Sequence, residues 1–329
     1  MVKRKAPRGR GTFFAKESSM TGQITTITIV GAGAVGGALA AMLHDAGERV
    51  FLLAAGERRS RLEREGLVVN RRLYRIPVVD PEDPANPADL LIVAVKHHHL
   101  DAAIGDMGHG VGPESIIMSL MNGVESEERL GRVYGDDLVL PATIVGIDAL
   151  REGMSITYSK RGKIFFGDAM GRETARVRRV RALFDRARIV YEIPADIRRT
   201  IWWKFMINVG VNQVSAALRA PYGVFQTPGE ARLLTESAMR EVVALAQKLQ
   251  IPLGEADLAD WYPILAGLRP EGKTSMLQDV EARRKTEVEM FAGTVIELGR
   301  HLGVPTPVNG RLFNVIRNIE ESYKEERQQ

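Results

Sequence analysis

Residues 24–36 restrict the fold more than any other stretch of this chain. Ile24-Thr-Thr-Ile-Thr-Ile-Val30 is a β-branched run that reads as a buried strand. Gly31-Ala32-Gly33-Ala34-Val35-Gly36 follows, and then an Ala/Leu-rich helical segment through about Ala46. Strand, G-x-G-x-x-G and helix in that order form a dinucleotide fingerprint. Gly31 permits the tight turn, Gly33 lets the backbone approach a pyrophosphate, and Gly36 lets the helix pack close to the strand. The helix N-terminus then turns its free N–H groups toward the phosphates. The plain alternative is a glycine-rich turn in an α/β protein that binds no nucleotide.

The end of the second strand, Glu48–Leu53, bears on which dinucleotide is bound. An acid there holds the ribose 2′-hydroxyl of NAD, whereas basic residues accept the 2′-phosphate of NADP. The chain continues Ala54-Ala55-Gly56-Glu57-Arg58-Arg59. No acid stands at the tip and two arginines follow, which points to NADP(H). Glu57 argues the other way, and a solvated helix start is the plain reading of the arginines. Val68–Val69 and Arg75–Val79 suggest a hairpin-like insertion, and Pro81, Pro84 and Pro87 mark a loop.

Asp89–Val95 is a continuous apolar run, as in a central parallel strand, and ends at Lys96. Ser115–Met121 is a second such run and ends at Asn122. Ligands bind outside the carboxyl ends of such strands, so both residues are candidates to meet cofactor or substrate. Three consecutive side chains, His97, His98 and His99, do not converge on one ion, and no metal is predicted. Leu138–Gly146, Met154–Gly167 and Ile189–Ile193 read as further strands. Glu173–Arg188 reads as a helix whose many arginines form a solvated face.

From Ala195 onward the pattern is helical. The chain divides into a basic extension (1–22), an α/β nucleotide-binding domain (23–194) and a helical domain (195–329). The helical domain opens with Thr200-Ile-Trp-Trp-Lys-Phe-Met-Ile-Asn-Val-Gly-Val-Asn212. As a helix, this places Lys204, Asn208 and Asn212 on one polar stripe. Its other residues are nearly all apolar, so the helix is predicted to be buried. Buried amine and amide groups are costly without partners, and a polar substrate in an interdomain cleft is one candidate. The alternative is that Lys204 snorkels outward while the asparagines bond within the core. Further on, Ser275 and Asp279 stand where caps stand, at the start of a helix that runs on through Arg283, Arg284, Glu287 and Glu289. Spacing alone reads Glu287 as exposed.

Composition closes off several classes. Residues 1–19 hold Lys3, Arg4, Lys5, Arg8, Arg10 and Lys16 against Glu17. That surplus exceeds the net +4 of the whole chain, so the body is slightly acidic and nucleic acid is not an expected partner. The basic extension lacks the apolar core of a signal peptide. No apolar run reaches the roughly 18 residues of a spanning helix. There is no cysteine among the 329 residues, which excludes disulfides and thiolate zinc and fits a reducing cytoplasm.

Taken together, these residues resemble the ketopantoate (2-dehydropantoate) reductase family over residues 24–320. The resemblance rests on Gly-Ala-Gly-Ala-Val-Gly at 31–36, Val-Ala-Val-Lys at 93–96 and Asn-Gly at 122–123. It rests further on Lys204 with Asn208 and Asn212, Ser-Met-Leu-Gln-Asp at 275–279, Thr-Glu at 286–287 and Gly-Val-Pro-Thr-Pro at 303–307. It implies a Rossmann-type doubly wound sheet followed by an all-α domain like the C-terminal domain of 6-phosphogluconate dehydrogenase. The implied activity is NADPH-dependent reduction of 2-dehydropantoate to (R)-pantoate in pantothenate and coenzyme A biosynthesis, by a cytoplasmic monomer or homodimer.

In that family Lys204 would be the general acid. Glu287 would bond at the reacting centre, near the cofactor, and help hold the lysine. Ser275 would bind the substrate carboxylate, and Asn208 and Asn212 its other polar groups. Lys96 and Asn122 would contact cofactor and substrate, and Gly31, Ala32, Gly33, Ala34, Val35 and Gly36 would cradle the pyrophosphate. The chain departs from the family at Ala55, where an arginine is common, and at Glu289 and Ala292-Gly293 on the substrate side. Reduction of another branched 2-oxo acid is therefore the alternative, and a dinucleotide sensor without turnover a lesser one.

Overall fold

A computed structural model describes residues 22–83 and 87–326. The expected basic extension, apart from Gly22, and Pro84 of the expected loop lie outside the described residues. The chain forms two compact units, one of residues up to Met121 with Glu125–Ile197, the other of Asn122–Val124 with Arg198 onward.

In the first unit β1 (Thr26–Val30) leads through α1 (Ala34–Asp45) to β2 (Arg49–Leu53) and α2 (Gly56–Glu65). Next come β3 (Leu67–Val69), β4 (Arg72–Tyr74), β5 (Val78–Val79), β6 (Leu90–Val93), α3 (Leu100–Asp106), β7 (Ile116–Ser119) and α4 (Ser126–Tyr134). The main sheet is wholly parallel in the order β5-β2-β1-β6-β7. Strand order reverses beside β1, so the switch point lies at the carboxyl ends of β1 and β6. β6 and β7 are buried along their whole length, which is why both read as unbroken apolar runs. The hairpin read near residue 70 is β3–β4, while β5 instead extends the main sheet beside β2.

The unit continues with β8 (Ala142–Ile147), β9 (Leu150–Glu152), β10 (Ser155–Thr157), β11 (Arg161–Phe166), α5 (Ala175–Arg186) and β12 (Tyr191–Glu192). The single strand expected over 154–167 is two strands in two sheets, β4-β3-β10-β9 and β12-β11-β8. The break has a local cause. Asp148 accepts the backbone N–H of Ser159 at 2.8 Å and of Lys160 at 2.7 Å, and Asn70 accepts that of Tyr158 at 2.9 Å, taking three donors out of the ladder. The α5 arginines are not all solvated either. Arg176 and Arg179 are buried, and Arg179 reaches the Glu114 carbonyl at 3.2 Å and Asp89 at 3.5 Å.

The second unit holds α6 (Ile197–Ile207, from Arg198 on), α7 (Gln213–Leu218), α8 (Gly223–Gln226), α9 (Glu230–Lys248), α10 (Glu255–Ala259), α11 (Trp261–Ala266), α12 (Ser275–Glu281), α13 (Thr294–Leu302) and α14 (Pro307–Glu326). A π turn, Asn208–Asn212, joins α6 to α7, and another, Glu289–Gly293, leads into α13. The helix expected to run from Ser275 past Glu289 stops at Glu281, because Arg283 adopts φ 51° and the Arg284 N–H turns back to the Asp279 carbonyl at 2.8 Å. No helix among the described residues is long and apolar enough to cross a membrane.

Candidate active site

The glycine-rich turn is built by steric exclusion. Gly31 has φ +101°, and a Cβ there would stand 2.6 Å from Val95 Cγ1. A Cβ on Gly36 would stand 2.0 Å from the Gly31 carbonyl oxygen, so α1 lies against the turn at hydrogen-only distance. Gly33 differs. The nearest atom to a Cβ there is the Ala94 carbonyl at 3.7 Å, an ordinary contact, and its φ is −74°. The fold itself does not need a glycine at 33, so the bare backbone is open toward a ligand. α1 carries no side-chain cap and no acid in its first turn, which leaves its N-terminal N–H groups available to an anion. These residues fit a dinucleotide pyrophosphate.

Lys96 follows β6 and is half-buried, ahead of the short helical turn His97–His99. No group of three metal-binding side chains occurs among the described residues. Partial burial, then the charges of Arg58 and Lys96, hold His99 below the ordinary histidine range. Of the two arginines after β2, Arg59 is engaged, bonding Glu63 at 2.8 Å and Asp80 at 2.7 Å. Arg58 makes no ion pair among the described residues, so the sequence reading narrows from two arginines to one.

In the helical unit Lys204 and Asn208 are half-buried and Asn212 is 7% exposed. Their neighbours Phe205, Met206, Val209 and Val211 are core residues. The π turn improves the stripe read from a plain helix. A step of four residues overshoots one α turn of 3.6 residues. The wider π turn brings the next four back, so Asn212 returns toward the line of Lys204. Asn212 Nδ2 donates to Ser275 Oγ at 3.4 Å. The cap of α12 is Thr274, whose hydroxyl accepts the Leu277 N–H at 3.1 Å. That corrects the expectation of Ser275 as a cap and leaves its hydroxyl to the stripe. Asp279 is no cap either: it is buried and bonds Arg284 at 2.8 Å.

The π turn is held by residues that spacing does not reveal. Gln213 donates to the Val209 carbonyl at 2.7 Å and to Asn309 Oδ1 at 2.9 Å. Asn309 donates to Glu241 Oε2 at 2.7 Å, and Glu241 also accepts the Val308 and Asn309 N–H groups at the start of α14. All three side chains are buried. Gly210 lets α9 approach, since a Cβ there would stand 2.6 Å from Met239 Cγ. Sequence alone shows only polar residues on apolar helices, as a hint that partners exist.

Glu287 is half-buried, not exposed as spacing suggested, and its carboxylate accepts Asn122 Nδ2 at 3.2 Å. Two candidate residues 165 positions apart are thus in contact. The residue before it is fixed as well: the Thr286 N–H and hydroxyl donate to buried Glu320 Oε1 at 2.7 and 2.6 Å. Arg317 bridges Glu320 Oε2 at 3.4 Å and Glu289 Oε1 at 2.7 Å. Glu320 is a further residue that the sequence reading missed.

A parallel sheet with a phosphate-ready glycine turn, and a helical unit with a half-buried lysine–asparagine stripe, define a dinucleotide-dependent oxidoreductase. The family model described as ketopantoate reductase PanE/ApbA matches residues 27–171, and its C-terminal counterpart matches 196–320. The chain belongs to the ketopantoate reductase family. The 2-dehydropantoate 2-reductase of Archaeoglobus fulgidus is 29% identical over 304 residues, covering 91% of this chain and 99% of that one. That of Vibrio cholerae is 28% identical, covering 90% and 98%. The solved structure of a PanE/ApbA family ketopantoate reductase from Ralstonia eutropha JMP134 is similar at TM-score 0.77 and 26% identity, covering 91% of this chain and 99% of that one. A D-mandelate dehydrogenase solved with NADH and anilino(oxo)acetate shares the fold at TM-score 0.84 and 20% identity, with the same coverage.

Proposed function

We propose that this chain reduces 2-dehydropantoate to (R)-pantoate with NADPH. The observation that carries the reading is the stripe of half-buried Lys204 and Asn208 and buried Asn212, beside the Ser275 hydroxyl, in an otherwise apolar core. Asn208 makes no side-chain hydrogen bond among the described residues, so a polar ligand there supplies what burial removed.

When bound, the reduced nicotinamide supplies a hydride to the ketone carbon. Negative charge then builds on the ketone oxygen, and the Lys204 ammonium stabilises it and delivers a proton there. The Ser275 hydroxyl bonds the substrate carboxylate, and the Asn208 and Asn212 amides orient its remaining polar groups. Glu287, oriented by Asn122, accepts a hydrogen bond at the reacting centre. The backbone of Gly31–Gly36 holds the pyrophosphate, with Lys96 at the nicotinamide side.

A panel of 2-oxo acids with the purified protein, followed by loss of NADPH absorbance, tests the reading. 2-Dehydropantoate is expected to lead in kcat/KM. Another 2-oxo acid ahead of it would reassign the substrate, and NADPH binding without turnover on any of them would remove the enzyme reading.

A further inference from the structure

Arg151 makes no ion pair among the described residues. It stands on β9, and the hairpin it belongs to sits against α1: a Cβ on Gly37 would stand 2.3 Å from Ile156 Cδ1 of β10. From there the half-buried guanidinium bonds the Ala32 carbonyl in the glycine-rich turn, the Gly153 carbonyl at 2.8 Å and Met154 Sδ at 3.4 Å. Every one of these acceptors is uncharged. A half-buried cation is ordinarily paired, yet its charged neighbours are Arg61 and Arg58 of α2. Burial, then those two charges, push its guanidinium below the ordinary arginine range. Neither Arg58 nor Arg61 makes an ion pair among the described residues. Arg59 and Arg64 on the same helix do, with Glu63, Asp80 and Glu65. Glu63, Asp80 and Glu65 are thus spent on the other arginines, and Glu57 of the first turn of α2 pairs with none among the described residues.

We propose that Arg151, Arg58 and Arg61 together read the 2′-phosphate of the dinucleotide, with Arg151 entering from a hairpin remote in sequence. α2 follows the tip of β2, where folds of this kind hold the adenosine ribose. A phosphate dianion there would meet three arginines that make no ion pair among the described residues, and guanidinium groups bind it with paired donors. The Arg151 bond to the Ala32 carbonyl ties this reading to the turn that carries the pyrophosphate. The inference rests on the proposed use of NADP(H), and the experiment separates the two.

The wild-type protein, Arg151→Gln and Arg61→Gln are titrated with NADPH, NADH and 2′-AMP by calorimetry. Wild type is expected to bind NADPH more tightly than NADH. Each variant is expected to weaken NADPH and 2′-AMP by about tenfold to a hundredfold, with NADH held within about twofold. Equal loss of NADPH and NADH in Arg151→Gln overturns the proposal and makes the residue a brace for the turn. Unchanged NADPH affinity in both variants overturns it outright. A wild type without preference removes the NADP(H) reading itself, and this inference with it. Arg61 is exposed, so Arg61→Gln carries the test if Arg151→Gln does not fold.

Discussion

The glycine-rich turn of the first unit and the polar stripe of the second are two ways of preparing a site. The turn works with backbone: Gly31 and Gly36 are small because the chain itself presses on them, while nothing in the surrounding fold requires Gly33 to be small. The turn's steric fit is contained within Gly31–Gly36 and the neighbouring Ala94-Val95, although Arg151 bonds the Ala32 carbonyl from a remote hairpin. The stripe works with side chains on a helix that a π turn has widened. Its geometry depends on Gln213, Asn309 and Glu241, drawn from three helices. A site made of backbone is written locally, and a site made of side chains is written across the whole unit.

The largest effect expected from breaking this contrast is at the stripe. Lys204→Ala should lower kcat by about 10²- to 10⁴-fold while NADPH affinity stays at the wild-type value, read by steady-state kinetics beside a binding titration. A kcat within a few-fold of wild type would deprive the stripe of its proton donor. Next is the buttress. Asn309→Ala removes one of two acceptors of the Gln213 amide and one of the donors to the Glu241 carboxylate, and should destabilise the helical unit by about 2–3 kcal/mol. All three tryptophans, Trp202, Trp203 and Trp261, lie in that unit, so urea unfolding followed by tryptophan fluorescence reports it selectively.

The glycines sharpen the other side. Gly36→Ala forces backbone apart and should cost about 1–3 kcal/mol of stability in the first unit. Gly33→Ala should leave stability unchanged and weaken NADPH and NADH alike by about tenfold. If Gly33→Ala melts early instead, the turn is shaped by the fold and not for a ligand.

The smallest expected effect is in acid. Partial burial disfavours the charged forms of Asp89, Asp148 and Asp168, but hydrogen bonds from Thr25 and Thr26, from Ser159 and Lys160, and from Met170 and Arg172 outweigh it and lower all three. Lowered carboxylates stabilise the fold above their unfolded values and lose that contribution as pH falls through the folded ones. Glu236 is lowered likewise in the second unit. Below about pH 4 the first unit, with more such groups, should loosen ahead of the second. Near-ultraviolet tyrosine signals against tryptophan fluorescence would show the order.

The same contrast explains what could be read from residues alone. The turn, the parallel strands and the change to helices after Ala195 follow from short-range patterns, and they were legible. Lys204, Asn208, Asn212 and Ser275 were legible because polar groups on an apolar helix, or matched to a family motif, stand out. Glu241, Asn309, Glu320 and Arg151 were not, because each acts on a partner some 34 to 119 residues away. The break after Glu281 and the division of 154–167 were missed for the same reason in miniature. They depend on where individual N–H groups find acceptors, which periodicity does not encode.

The widened turn at Asn208–Asn212 holds one residue more than a regular coil would take. Deleting a residue there would heal the spiral and tighten its ladder, leaving Asn212 seven positions after Lys204 and about 20° from its line. Such a shortened protein would gain regularity and keep Asn212 on the face of Lys204, while drawing the rest of the helix about 1.5 Å closer. At this place the chain has kept an irregularity that a search for greater rigidity would remove first.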